Sequence, residues 1–457
     1  MALRPASLLL CLGLALAAPA AAQEMPPSLT AFLDAEEERF IALYKTLHAE
    51  PELSFQEEKT AARLGNHLES LGFIVTRAVG GHGVVGVLEN GDGPTVLVRA
   101  DMDALPLTEK TGLPYASQAT GLSDDGKEVP VMHACGHDMH MATWAGTAAY
   151  LAAHRELWSG TVVFIGQPAE ERGAGAKAML AEGLFERFPR PDACLALHVK
   201  GELPAGSVGL CSGYTLGNVD SVDVLVRGQG GHGSTPHLTK DPVVLAARIV
   251  VALQTLVSRE VPPPDDAVVT VGSIHGGLKH NIIPDEVKMQ LTVRSYKPEV
   301  RRLLLEGIAR TARGEAISAG FPEELHPITT VHEEEFTPAT WNDPATVARM
   351  EQVFTRLLGE DQVFEVLPVM GGEDFGRYGP AADAPSMIYW LGTSKRADWE
   401  AAQAGGPPTA STHQSHFAPD PGPSWRTGVA TMSTAALTLL AELEPRATPE
   451  AGADGAR

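Results

Sequence analysis

Apolar residues recur at helical spacing among acids from Ser28 to His48 and again from Gln56 to Leu71. Short apolar runs follow at Gly83 to Val87 and at Thr95 to Ala100 and predict strands. The alternation continues with a helical stretch from Met139 to His154, a strand from Thr161 to Gly166, a helix near Ala174 to Glu182 and a strand from Ala193 to Val199. Helix and strand in alternation define an α/β layer fold, with chemistry expected at the strand ends.

After Gly217 the rhythm changes. A strand from Val219 to Val226, a helix from Val243 to Val257, strands from Ala267 to Ile274 and Glu286 to Ser295, a helix from Val300 to Ala319 and a strand from Leu325 to Val331 spell β-α-β-β-α-β, a ferredoxin-like unit. Beyond Asn342 the first pattern resumes: a helix from Pro344 to Leu358, strands near Val363 and from Met387 to Leu391, and a last helix from Trp425 to Leu443. The expected organisation is a catalytic domain in two parts, residues 23–216 and 333–443, with a lid and dimerisation domain, residues 217–332, inserted between them. Hinges are expected at Gly213 to Gly217 and near Asn342. The tail 444–457, rich in Ala, Gly, Pro and charge, has nothing to bury and is expected to be disordered.

Composition narrows the function. The 457 residues are 44% hydrophobic and 20% charged, a globular balance, and the length suits two domains with a cleft between them. Lys plus Arg number 35 against 57 Asp plus Glu, and this net charge of -22 repels phosphate backbones and excludes nucleic acid as a natural partner. Residues 1–22 carry one Arg, an apolar run from Leu8 to Ala18 and small residues before Gln23, the pattern of a secretory signal peptide rather than a membrane span. Cys11 follows Leu10, not the small residue a lipidated cysteine requires. The mature protein is therefore expected in the periplasm or secreted, with no membrane attachment. Cys135, Cys194 and Cys211 remain, too few and odd in number for a disulfide framework, with Cys194 to Cys211 the one bond considered. A thiol kept at Cys135 in an oxidising compartment needs a reason, and metal ligation is one.

Met132 to His140 read MHACGHDMH, the densest group of metal-binding side chains in the chain. Cys135 and His137 are the expected ligands, whereas His133 and His140 either support a ligand or are solvated. The strand from Thr161 runs into Glu170 and Glu171, adjacent acids that point in different directions, so one can bind a metal while its neighbour acts as general base. A second strand delivers His198 to an equivalent end. Near the C-terminus THQSHFAPD offers His413 and His416, and VRADMDALP ends a strand in Asp101 and Asp103, acids able to hold a metal-bound imidazole by its second nitrogen.

These motifs, with HAEPELSFQEE at His48 to Glu58 and GGEDF at Gly371 to Phe375, resemble the aminoacylase and carboxypeptidase superfamily of dinuclear metallohydrolases, in its hippurate hydrolase and indole-acetyl-amino-acid hydrolase branch. The resemblance spans nearly the whole mature chain. It implies five ligands, Cys135, His137, Glu171, His198 and His413, with Glu170 as catalytic base and Asp103 beside it. Alignment on Phe417-Ala-Pro selects His413 over His416. It further implies that His232 reaches the active site of a partner subunit in a homodimer to stabilise the oxyanion, and that His237, Asn281 and Arg294 contact the substrate. An Arg fork suits a carboxylate. Gly228, Gly230 and Gly233 formally spell G-x-G-x-x-G, but no helix opens at the last of them, so the dinucleotide reading is rejected.

A mixed thiolate, imidazole and carboxylate set suits two ions of zinc, manganese, nickel or cobalt and a shared water that Glu170 deprotonates. The expectation is an exported metal-dependent amidohydrolase of N-acyl amino acids. A dipeptidase or carboxypeptidase on the same scaffold, and a non-catalytic metal or ligand-binding protein, are the alternatives.

Overall fold

The computed structural model describes residues 25–445. The expected signal peptide and all of the expected tail beyond Pro445 lie outside the described residues. Eight strands form one mixed sheet in the order Ile74–Val79, Gly83–Asn90, Gly160–Gln167, Thr95–Asp101, Ala193–Pro204, Ser386–Ser394, Val208–Leu210 and Val363–Glu365. Its four central strands, Gly160–Gln167 through Ser386–Ser394, are mutually parallel. Both faces are covered, so these strands are apolar almost throughout rather than alternating. Their shared direction brings Asp101, Gln167 and the middle of the Ala193–Pro204 strand to one edge, where ligands bind in parallel sheets.

The helix His137–Ala153 lies between this sheet and the helices Pro27–Ala49 and Pro421–Glu442 and is buried from His137 to Leu151. Trp144 donates to the Val98 carbonyl at 3.1 Å, and Trp425 donates to that of Ala142 at 3.2 Å. Gly146 permits the close approach: a Cβ there would stand 2.7 Å from Val429 Cγ2 and 3.0 Å from Trp425 Nε1. The helix Pro344–Leu358 starts where Asp343 accepts from Thr346 N, with Pro at its first position, and stops at Gly359, φ 91°.

The second sheet is antiparallel, in the order Ala267–Gly276, Glu286–Ser295, Asn218–Arg227 and Ile328–Val331. The helices Pro242–Thr255 and Pro298–Ser318 cover one face, enclosing a separate core that includes Val222, Val224, Ile249, Met289, Leu291 and Ile308. Asn218–Arg227 alternates buried and half-buried residues along its whole length, the signature of a strand with one covered face. The last strand is shorter than its apolar pattern predicts, because Glu323–Leu325 forms a 3-10 turn and Pro327 cannot donate to the ladder. Two connecting segments, Gly213–Leu216 and Thr340–Asn342, pair with each other where the chain leaves and re-enters the large sheet.

The considered Cys194 to Cys211 bond is absent. Cys194 packs inside the large sheet's core, whereas the Cys211 thiol faces the Tyr214 carbonyl at 3.5 Å. The edge strand Ile74–Val79 escapes sequence detection because its outer residues are exposed, Ile74 among them.

Deep in the fold, His48 Nδ1 lies 2.7 Å from Asp138 Oδ2 and its Nε2 3.0 Å from Glu109 Oε1. Burial opposes its charge, but the hydrogen bonds to Asp138 and Glu109 outweigh burial and lift its pKa to about 10. A raised folded-state pKa contributes stability that is complete below the unfolded value of about 6.5 and is lost as pH rises through about 10. Denaturant unfolding should therefore show wild type losing on the order of 3 kcal/mol over that window relative to His48→Gln. A constant gap between the two proteins would refute the charged assignment.

Candidate metal centre and catalytic cleft

Local geometry gathers the candidate ligands. Gly136, φ 78°, makes a left-handed turn that separates Cys135 in the loop from His137 at the first position of its helix. His198 comes from the central strand Ala193–Pro204. His413 also has a left-handed backbone, φ 63°, held as its N–H donates to the Ala134 carbonyl at 2.8 Å.

Glu170 and Glu171 sit on a turn whose preceding residue, Ala169, is left-handed at φ 49° without being glycine. Three backbone donors hold it there. Ala169 N donates to Glu57 Oε1 at 2.8 Å, while Glu170 N and Glu171 N donate to the two Asp103 oxygens, each at 3.1 Å. Ser54 donates to Asp103 as well, at 2.6 Å.

Cys135 Sγ lies 3.4 Å from His198 Nε2, and His413 Nε2 lies 3.4 Å from Glu171 Oε2. His137 Nε2 stands 3.8 Å from both Glu170 Oε2 and Glu171 Oε1. The triads Cys135, His137, His198 and Cys135, Glu171, His413 each bring their ligand atoms within 4.8 Å of one another, and they share Cys135. His137 Nε2 and Glu171 Oε1 are buried with no hydrogen-bond partner among the described residues. Buried polar atoms without partners are costly, and a pair of cations held by the two triads would satisfy them, so the residues fit a two-metal centre.

Electrostatics point the same way. Burial, with Glu373 and Glu171 beside it, pushes the Glu170 carboxyl well up, and burial lifts Glu171 to about 8. Burial and the same Glu171 and Glu170 push up the Cys135 thiol. Burial opposes a charge on His137, yet Asp101 and Asp103 outweigh it and raise the group to about 10. The protein alone offsets its crowded acids with protons, which divalent cations would displace.

For the supporting residues, one expectation is corrected and one choice is settled. The Asp103 main-chain carbonyl, not its carboxylate, takes the short contact with His137 Nδ1, at 2.8 Å. The carboxylate is occupied by the Glu170 and Glu171 turn. Of the two readings of His140, burial excludes the solvated one: its Nδ1 lies 2.6 Å from Asp101 Oδ1 and its Nε2 accepts from Val199 N at 2.9 Å. Burial pushes it down to about 3, consistent with a neutral ring bonded at both nitrogens. His133 is fully enclosed with both ring nitrogens unpartnered, and His416 is exposed with only Ser415 at its Nδ1.

The centre opens into a cleft of about 940 Å³. One wall belongs to the large sheet, and the smaller unit contributes Val219, Ser221 and Arg294. Arg294 Nη1 donates to the Met370 carbonyl at 2.6 Å. His232, His237 and Asn281 do not line the cleft of their own chain. They lie on or beside a short ribbon formed by Gly231–His232 and Ile282–Ile283, with His232 and His237 exposed.

Sequence reading overlooked Arg99. Its guanidinium is buried and reaches Asp101 at 2.7 Å, Glu373 at 2.8 Å, Asp374 at 3.3 Å and Gln167 at 3.0 Å. The available signal was a charge in the middle of the apolar strand Thr95–Asp101. Glu57 was overlooked for a different reason, because its partner Ala169 is 112 residues away.

Paired acids, a thiol and imidazoles at the ends of parallel strands define a metal-dependent hydrolase. The chain belongs to the peptidase family M20/M25/M40, whose model matches residues 97–404. It is 35% identical over 363 residues to an N-acetylcysteine deacetylase of Bacillus subtilis, covering 79% of this chain and 90% of the relative. It is 38% identical over 335 residues to a hippurate hydrolase of Campylobacter jejuni, covering 72% and 82%. Among solved structures, a dinuclear metal binding peptidase of the M20 family from Bacillus subtilis superposes with a TM-score of 0.72 at 29% identity, over 90% of this chain and all of that one. The protein is accordingly a hydrolase of carbon–nitrogen bonds with a mixed α/β fold.

The Ala169 turn yields a test. Burial and the nearby Asp103 raise Glu57 to about 8, so it is largely protonated at neutral pH and Gln mimics it. Glu57→Ala should lower kcat about ten-fold or more with KM little changed, whereas Glu57→Gln should retain most activity. Equal losses in both variants would show that the turn does not depend on this hydrogen bond.

Proposed function

We propose that this cleft hydrolyses the amide bond of N-acyl amino acids, hippurate-like ones included, releasing a carboxylic acid and a free amino acid. The observation that carries the reading is Glu170, a buried acid beside the two triads, in a cleft whose opposite wall presents the Arg294 fork. Cys135, His137, Glu171, His198 and His413 would hold two divalent ions of the zinc, manganese, nickel or cobalt group. Bound there, the ions supply a water of lowered pKa and polarise the amide carbonyl. Glu170 accepts the proton of that water and passes it to the leaving nitrogen. Asp103 keeps the Glu170 and Glu171 turn in register, and Arg294 binds the amino-acid carboxylate.

Glu170→Gln should retain both ions by elemental analysis while losing most hydrolysis, on the order of a hundred-fold or more. Loss of metal together with activity would contradict the division between base and ligand. Amine release from N-acyl amino acids and from dipeptides, with and without chelator, separates this reading from a dipeptidase or carboxypeptidase. Chelator-insensitive silence on both would leave a binding protein. We further propose that the chain works after export, with a mature N-terminus near Gln23, as the apolar segment from Leu8 to Ala18 supports.

We also infer a homodimer in which His232 serves the partner's cleft, with His237 and Asn281 beside it on the substrate side. Support comes from the smaller unit, where Val244 and Val251 are exposed on the helix Pro242–Thr255 and Ala267–Gly276 is a sheet edge. Mixing His232→Ala with Glu170→Gln chains should then restore about a quarter of wild-type activity, because half the dimers carry one complete site. No recovery in a mixture shown by mass to exchange subunits would place His232 outside the partner's reaction.

A further inference from the structure

One cation in the cleft has no part in the reaction so far. Lys200 follows His198 by two residues on the strand Ala193–Pro204, so both side chains leave the same face. Their backbones are about 7 Å apart along the strand, and both residues line the cleft. Lys200 Nζ lies 4.8 Å over the Trp390 ring, which in turn meets the His198 ring edge-on with centroids 5.4 Å apart. The three residues form one continuous wall beside the metal centre.

The ammonium on this wall is underused. Its side chain is 20% exposed, and its one ion pair among the described residues is with Glu202, whose Oε2 is 3.8 Å away on a side chain that is itself 50% exposed. Such a pair is screened by water and weakly held. The Lys200 ammonium makes no hydrogen bond to any described residue, although it carries three donors. Trp390 Nε1 is likewise buried without a partner. Of the other cations lining the cleft, Arg172 is engaged by Asp124 at 2.5 Å, and Arg294 is assigned to the amino-acid carboxylate. The remaining cation stands on the large unit and is left for the other half of the substrate. In a chain of net charge -22, with Glu202, Glu334 and Glu335 also lining the cleft, an anionic acyl group is accepted only where a cation is provided.

We propose that Lys200, stacked on Trp390, selects an N-acyl amino acid whose acyl group ends in a carboxylate, a dicarboxylic acyl chain of about four or five carbons by the span along the strand. This rests on the amidohydrolase reading above and names its acyl class. The test uses the purified, metal-loaded full chain and four substrates: N-acetylalanine, N-butanoylalanine, N-succinylalanine and N-acetylglutamate. Wild type should favour N-succinylalanine over its neutral counterpart N-butanoylalanine by about ten-fold in kcat/KM or more. Lys200→Met, which keeps the apolar stem, should bring that ratio close to one, mainly through KM, and Lys200→Arg should keep much of the preference.

A wild-type ratio near one, or a preference that survives Lys200→Met, overturns the assignment while leaving amide hydrolysis intact. If Lys200→Met instead spares the succinyl preference and weakens N-acetylglutamate, the cation faces the amino-acid side and the acyl assignment is wrong. Failure to cleave any of the four would strike the amidohydrolase reading itself.

Discussion

A single guanidinium holds the acidic floor of the cleft together. Arg99 sits among Asp101, Glu373 and Asp374 with Gln167 completing its donors, and all five side chains are buried. Each acid also acts beyond the cluster. Asp101 fixes the His140 ring, Glu373 accepts from Phe375 N at the start of the following turn, and Asp374 accepts from Ala176 N and from Gln167. Two neighbouring parallel strands and a segment about 270 residues distant are therefore joined through one cation. A buried charge left without its partner costs about 3 to 5 kcal/mol, so an apolar residue at position 99 would expose the whole arrangement to unpaired carboxylates. The guanidinium allows Glu170 and Glu171 to stand in a cluster that is already acidic, since Arg99 counteracts the upward pressure of Glu373 and Asp374 on Glu170.

The turn bearing those two glutamates shows how such crowding is put to chemical use. Consecutive side chains diverge, so one oxygen of Glu171 faces His413 while Glu170 remains beside His137. The divergence requires the left-handed Ala169, a conformation that costs an L-residue about 1 to 2 kcal/mol. Three hydrogen bonds to two buried acids offset that strain. Glu57 and Asp103 thus shape the turn through its backbone hydrogen bonds.

Much of this was legible in the chain. The alternation of apolar runs identified the central strands and the separate β-α-β-β-α-β unit, and the density of ligand types between Met132 and His140 drew attention to the right loop. The spacing of one residue between Glu170 and Glu171 was enough to suggest a division of roles. Partners at long range were not legible. Arg99 reads as an anomaly in a strand until Glu373 and Asp374 arrive from the far end of the chain, and His140 cannot be separated from a ligand until Val199 N is seen donating to it. Asp103 was chosen for the right neighbourhood but the wrong atom, because sequence carries no information on whether a backbone carbonyl or a carboxylate meets a ring nitrogen.

The smaller unit's attachment explains how Arg294 is positioned. Its two connections pair with each other as Gly213–Leu216 and Thr340–Asn342, and Val219 bridges to Thr337 just beyond them, so the unit is fixed at one narrow waist. From that waist the strand Asn218–Arg227 runs in register with Glu286–Ser295, placing Arg294 opposite Val219 at the end nearest the cleft. Arg294 therefore stands beside the waist, whereas the ribbon carrying His232 lies beyond the strand's far end. The ribbon stands away from the cleft of its own chain with His232 exposed, an arrangement in keeping with the proposed dimer.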